Sequence, residues 1–460
     1  MATVSESLAR FAAELRPDDL PAAVVAQVRR HLLDLLGVAL AATAEPFAAQ
    51  ARTAVRALAG DGGGATAIGD AAPLPPAWAA LINGILAHGL DYDDTHEAAV
   101  THVSASVVPA MLAAAERHGS SGEAALAALA LGMETAVRIG LVAPGAFHDR
   151  GFHPTGVCGA YAASIVAGRL GELGAERLAD ALGLAGSFAS GTMEFLTDGT
   201  WAKRVHAGWA AHAGLSAAAL AASGFSGPRQ TFEGRFGLYR SHLGAGDWPV
   251  AALTADLGRR WQLLDIALKP YPCCHMTHAF IDAAAALRAA HRPAPDAIAA
   301  IECEIHPREM RVVCEPVAGK RRPQSDYDAK FSLPYPVAAM LVRGRVELDD
   351  FSPAAIADPA VLALAARITC LPDPAADYPR CFPGRLRLRL RDGRVLEHDE
   401  PVNRGSFLRP LDDDAVRDKF RRTAGRVLPP PRVESLAAAV AALDRAAGVG
   451  ALAAALRGAA

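Results

Sequence analysis

Aromatic side chains are scarce, at 6% of 460 positions. An interior with few rings and abundant alanine and leucine packs best as closely spaced helices, so a mostly helical protein is expected. Charge of one sign is also missing. The 46 Lys and Arg against 49 Asp and Glu leave a formal net charge of -3, with no basic stripe. That excludes the electrostatic footprint of a nucleic-acid binder. Long apolar runs are absent too, because the alanine-rich stretches are interrupted by His, Arg or Gly. No membrane span is expected, and no membrane partner. Met1–Arg16 reads as a short amphipathic helix without the basic and apolar regions of a signal peptide. The seven cysteines show no disulfide-like spacing, which points to a reducing, cytoplasmic setting.

At this length the chain exceeds one ordinary core, and two or three domains are expected. From Pro21 to about Ser226 the period is helical. Val24, Val25, Val28, Leu32, Leu35 and Leu36 form one stripe. Pro75-Pro76 opens a helix through Leu86. Further helices are expected over Ser104–His118, 122–139, 157–170 and 207–223, with a short strand over 66–68. Near Leu263 the texture changes. Ile301, Cys303 and Ile305 alternate with glutamates, and Leu386, Leu388 and Leu390 with arginines, before an Asp392-Gly393 turn. Helices over 277–290, 333–343 and 359–367 sit between these strands, and the chain is helical again after Leu411. The resulting architecture is mainly α. A large all-α domain comprises residues 1–267, with 405–460 packing back on it. A smaller α+β domain comprises 268–404.

Four histidine-bearing strings lie in loops, where sites are usually carried. In Asn83–His96 a helix ends at Gly89 and runs into Asp91, Asp93, Asp94, Thr95 and His96, with His102 close behind. A general acid or base with orienting carboxylates, a metal site, or a plain helix end and cap all fit this string. The acids are adjacent and no HExxH-like spacing occurs, which weighs against metal. Gly151-Phe152-His153-Pro154-Thr155-Gly156 opens a helix, where free N–H groups attract anions. Lys203, Arg204 and His206 precede an expected helix start at Ala207, a good carboxylate pocket or else a solvated basic loop. Lys269–His278 carries adjacent Cys273 and Cys274 beside His275. The cysteines lack CxxC spacing, leaving a nucleophile or an inert buried pair.

The strings "NGILAHGLDYDDTH", "GFHPTG", "GTWAKRVHAG", "KPYPCCHMTH" and "DAKFSLPYPVAAML", in this order, resemble the MmgE/PrpD family. That family includes 2-methylcitrate dehydratase, cis-aconitate decarboxylase and iminodisuccinate epimerase. The resemblance implies a large helical domain made from both chain ends plus an α+β lid. It also implies a homodimer, and a crevice site with no metal and no organic cofactor. Carried over from the decarboxylase branch, Asp91 and Thr95 match its "DxDDT" loop, His102 the histidine after it, His153 that of "GFHPT", and Lys203 the lysine before "HxG". The decarboxylase histidine near "CCH" stands one residue earlier, where this chain has Cys274, so His275 matches only in position along the loop. The decarboxylase also uses a lid tyrosine, and none occurs near Arg311-Val312-Val313.

Those two departures favour a dehydratase acting on a small hydroxy polycarboxylate such as 2-methylcitrate. His102 and His153 are then the acid and base. Lys203 and His275 hold carboxylates, helped by Arg204, His206 and Cys274, with Thr95 bonding a substrate oxygen. Asp91 fixes a histidine tautomer. An epimerase, a decarboxylase and a silent polycarboxylate-binding protein on the same fold are the alternatives.

Overall fold

The computed structural model describes residues 2–60 and 62–458. Met1, where the first helix was expected to begin, and the last two alanines of the expected C-terminal return lie outside the described residues. The first helix runs over Val4–Glu14, opened by a capping box between Thr3 and Glu6. Proline at the first turn starts the helices Pro46–Ala59, Pro76–His88 and Pro154–Leu170, where its missing N–H costs nothing. Ser104–His118 and Gly122–Leu141 follow the expected spans closely. Gly122–Leu141 is long and apolar enough to cross a membrane. It is apolar because it lies in the protein core, with 89% of its most apolar stretch buried.

Two expectations need correction. The helix expected from Ala207 begins at Ala202, so Lys203, Arg204 and His206 belong to its first turns. Residues 66–68 do not form a strand beyond a single bridge between Ala65 and Leu74. Side chains take over their backbone groups instead. Glu116 accepts from the Thr66 N–H at 2.6 Å, and the Asn83 amide oxygen from that of Ile68 at 2.8 Å.

The helix Ala202–Ala222 packs against both Pro154–Leu170 and Pro76–His88. Small residues set how close they come. A methyl on Gly84 would collide with the backbone of Gly208, and one on Gly214 with that of Ala163. This tight crossing brings the start of one helix, with Lys203, beside the end of another, with His88 and Asp91.

The apolar interior forms two principal clusters. The larger runs from Leu8 to Ile266 and is joined by Phe420, Leu428, Leu436 and Leu452. Phe420, Leu436 and Leu452 come from the helices Asp413–Ala424, Pro430–Ala441 and Gly450–Leu456, which return to it, and Leu428 from the turn between the first two. A buried ion pair between Lys419 and Asp34, at 2.8 Å, ties the return in place. The smaller cluster is built mainly from residues 271–390.

Six strands occur among the described residues. β1 (Thr95–His96) and β2 (Ile266–Ala267) pair antiparallel, Thr95 opposite Ala267. β3 (Ile298–Ile305), β4 (Ile368–Pro372), β5 (Gly384–Leu390) and β6 (Val395–Glu400) form one sheet in the order β4-β3-β5-β6. β4 is parallel to β3, while β5 is antiparallel to both β3 and β6. Leu386, Leu388 and Leu390 face the smaller core. On the opposite face Arg387 bonds Glu302 and Glu397, so the alternation in the sequence separates an apolar face from a ladder of ion pairs.

Candidate active site

The loop after the helix Pro76–His88 turns sharply. Asp91 has φ 52°, a left-handed conformation that aspartate tolerates better than most residues. β1 then pins the loop to β2, which leads directly into the segment bearing Lys269, Cys274 and His275. Asp94 closes the loop by accepting from the backbone N–H groups of Val103 and Ser104, at 3.2 and 2.9 Å, at the start of the next helix. His102 therefore sits on a fixed shoulder, its own N–H donated to Thr155 at 3.0 Å. Val100, at φ 51°, is β-branched and left-handed, a strained residue on the wall of the cavity this loop helps enclose.

That cavity measures about 40 Å³. Asp91, Thr95, His102, His153, Lys203, Cys274 and His275 line it, together with His148. Val100, Met193, Met276, Val312, Phe331 and Phe382 supply the apolar part of the lining, with Phe331 under the Lys203 ammonium at 5.0 Å and Phe382 edge-on to the His275 ring. All of these apolar residues belong to the smaller core cluster or pack against it.

Three ionisable groups sit at the centre of the site, Asp91, Lys203 and Lys269. Asp91 bonds Lys203 on one carboxylate oxygen and Lys269 on the other, the latter at 2.9 Å. Burial alone would push the Asp91 carboxyl up, but the two ammonium groups outweigh it and hold the carboxyl well below its usual range. Burial likewise works against a charged Lys269, and Asp91 more than restores it. Lys203 stands in the first turn of its helix, where the dipole disfavours a cation. Asp91 is the local counterweight.

Asp93 has a different role from Asp91. Its carboxylate lies 2.7 Å from His88 Nδ1 and 3.3 Å from His102 Nδ1. Burial pushes His88 down to about 3 and lowers His102 as well. Both rings are thus neutral, and each donates Nδ1–H to the Asp93 anion. The unprotonated His102 Nε2 is left facing Lys203 Nζ at 3.4 Å. Thr95 Oγ1 is 3.4 Å from the other nitrogen of the same ring. His153 caps the helix Pro154–Leu170, and its Nδ1 lies 3.0 Å from that of His206. Burial, with Lys203 adding to it, keeps His153 well below the usual histidine range.

Arg204 and His206 do not line the cavity. The Arg204 guanidinium donates to the Gly89 carbonyl at 2.8 Å and to Asp326 at 2.6 Å, between the rings of Phe47 and Tyr327. It staples a helix end and lies off the cavity lining, where the sequence had placed it as a helper in holding substrate. His206 reaches the site only through His153. Burial pushes the Cys273 thiol up to about 12 and that of Cys274 to about 11, so the inert reading of that pair is the one the structure supports.

Ring nitrogens of His88, His102 and His153 lie within 4.8 Å of one another, close enough to hold a metal. The donor set argues against it. Asp93 holds the Nδ1 side of two rings, and the remaining His102 nitrogen faces the Lys203 ammonium at 3.4 Å, a charge that repels a metal cation there.

Comparison with known proteins matches residues 6–251 to the MmgE/PrpD N-terminal domain and residues 271–445 to the MmgE/PrpD C-terminal domain. This chain belongs to the MmgE/PrpD family. It is 30% identical to the cis-aconitate decarboxylase-like protein oryM of Aspergillus oryzae, over 99% of this chain and 97% of that protein. It is 27% identical to cis-aconitate decarboxylase of Mus musculus, over 96% of this chain and 91% of the other. A 2-methylcitrate dehydratase of Cupriavidus necator is 33% identical over 35% of this chain. These MmgE/PrpD relatives support a lyase of the decarboxylase or dehydratase type. The relatives matched along the whole chain carry decarboxylase names, which shifts the weight from the dehydratase reading favoured by the sequence.

Sequence reasoning missed Asp93, His88, His148 and Lys269 as members of this MmgE/PrpD cluster. Asp93 and His88 were in the quoted loop, but five residues apart on a helix end and turn they gave no sign of touching. Lys269 stood in a quoted string, its partner 178 positions away.

Proposed function

We propose that this chain is a carbon–carbon lyase that decarboxylates a small unsaturated tricarboxylate of the cis-aconitate type. The observation that carries this is a cavity lined by an acid–base histidine, a lysine and several apolar side chains. A carboxylate pressed against Val312, Phe331 and Phe382 loses its hydration, which favours its departure as neutral carbon dioxide. The C–COO⁻ bond breaks and its electron pair becomes a new double bond. The electrons of the old double bond take a proton at the carbon next to a retained carboxylate. One carbon dioxide leaves and one proton is consumed.

Lys203, steadied by Asp91, holds the retained carboxylate and the charge that develops on it. The proton comes from the Lys203–His102 pair, whose nitrogens are 3.4 Å apart. Asp93 orients His102, and His153 faces the same space.

Dehydration of a 2-methylcitrate-type hydroxy acid is the second reading. It is favoured by the unprotonated His102 Nε2, a base for the proton α to a carboxylate, and by the dehydratase relative. Both readings are tested by incubating EDTA-treated protein with cis-aconitate and with 2-methylcitrate in deuterated water. Carbon dioxide release with one deuteron incorporated per turnover supports decarboxylation. A new alkene without carbon dioxide selects dehydration, and silence with both acids refutes the assignment.

A further inference from the structure

Behind His275, on the side away from the cavity, lies a second polar cluster. Glu97, Glu309, Asn403 and His275 are all buried. Glu97 follows β1, and Glu309 lies on the helix Pro307–Val313. Asn403 and Ser406 lie on the stretch that returns from β6 to the helix Asp413–Ala424. Three separate parts of the chain thus meet behind one ring.

The hydrogen bonds give this cluster a direction. Ser406 donates to Glu97 Oε2 at 2.6 Å. Glu97 Oε1 has no hydrogen-bond partner and lies 3.9 Å from His275 Nε2. The Asn403 amide nitrogen is 2.8 Å from that same Nε2. It also reaches the Arg404 carbonyl at 3.4 Å, so the donor end of the amide is the one turned this way. A ring nitrogen that accepts from an amide must keep its lone pair. The ring proton of neutral His275 is therefore on Nδ1, which has no partner within the protein.

No lysine or arginine among the described residues bridges Glu97 or Glu309. Both Glu309 oxygens lack hydrogen-bond partners altogether. Two uncompensated anions buried together would be very costly. Burial pushes Glu97 up to about 7, and burial plus the nearby Glu97 pushes Glu309 well above the usual range. Burial, with His278 and Lys269 adding to it, holds His275 well below the usual histidine range. Cys381 also faces the two glutamates, and burial raises its thiol to about 11.

We propose that Glu97 and Asn403 are positioning residues that hold His275 as a neutral donor, offering Nδ1–H to a substrate oxygen. Glu97 serves this role in its protonated form. When it ionises, a carboxylate 3.9 Å from Nε2 draws a proton to that nitrogen and undoes the arrangement. The inference deepens the lyase reading and rests on it for its kinetic arm alone.

Two measurements test it. The first needs no turnover. Nitrogen-15 spectra of protein labelled at histidine, with His275 assigned from its loss in His275→Gln, report which ring nitrogen is protonated. At pH 6 the expected result is protonated Nδ1 and bare Nε2, with the proton moving to Nε2 in Asn403→Asp. Protonated Nε2 in the unsubstituted protein would overturn the proposal whatever the reaction is. The second is the pH profile of kcat on whichever acid is turned over. Between pH 6 and 8, a group titrating near 7 gives about a tenfold fall. Glu97→Gln keeps the shape and cannot ionise, so the fall should flatten to about onefold. A purely structural Glu97 would leave the profile shape unchanged in Glu97→Gln, and that result would also overturn the proposal. Absence of turnover with every acid defeats the lyase reading and leaves the tautomer measurement standing.

Discussion

Replacing Asp91 by Asn isolates the charge at the centre of this site. The side chains have nearly the same shape, and asparagine accepts the φ of 52° at this position as readily as aspartate. The substitution therefore adds no backbone strain and no cavity. It leaves Lys203 and Lys269, 3% and 0% exposed in their side chains, with no carboxylate on either ammonium. Lys269 keeps only the Asp91 carbonyl, at 2.9 Å. Removing one partner of a buried ion pair costs about 3–5 kcal/mol, mostly from the charge left behind. The assay is guanidinium denaturation followed by tryptophan fluorescence. Asp91→Asn should lower the stability of the first transition by about that amount. Lys269→Met in the same chain should recover at least ~1 kcal/mol, because one stranded charge is gone. The pH dependence has a definite sign. The Asp91 carboxyl is depressed in the folded protein, so its contribution is complete above the unfolded value of about 4 and is lost as pH falls further. The variant should lose less stability than the unsubstituted protein below about pH 4. A loss of under ~1 kcal/mol at neutral pH would refute the reasoning, since the lysines would then be hydrated or neutral already.

Asp93→Asn removes the anion that holds the His88 and His102 rings. It should cut kcat by about 10²-fold with little change in KM, measured by substrate consumption. Gly84→Ala drives a methyl into the backbone of Gly208, so thermal unfolding should show a loss of about 1–3 kcal/mol, with lower activity as Lys203 is displaced from Asp91. Dialysis against a chelator should leave turnover unchanged, because the His88, His102 and His153 cluster faces the Lys203 ammonium group. An activity that vanishes on chelation and returns with zinc would reverse that conclusion.

Local chemistry in the sequence settled much of this protein. Prolines at Pro76 and Pro154 set helix starts, and Gly119 ends a helix in the left-handed conformation. Alternation of leucine with arginine over 386–391 already separated a buried face from a charged one. These features depend on neighbours two to four residues away, which is why they can be read without a structure. The histidine-bearing strings likewise marked the loops that supply the cavity.

What the sequence left undecided is which of two nearby groups touches a partner far along the chain. Asp91 and Asp93 are two residues apart, yet one turns to two lysines and the other to two histidines, because the left-handed turn at Asp91 redirects the backbone between them. Arg204 is next to Lys203 in the chain, but helical geometry turns it by about 100° away, onto Asp326 and the Phe47 and Tyr327 rings. Glu97, His275 and Asn403 carry no shared spacing and meet only in the folded chain. Burial then decides their protonation, since a carboxyl or an imidazole loses its charge when water is removed and no counter-ion replaces it.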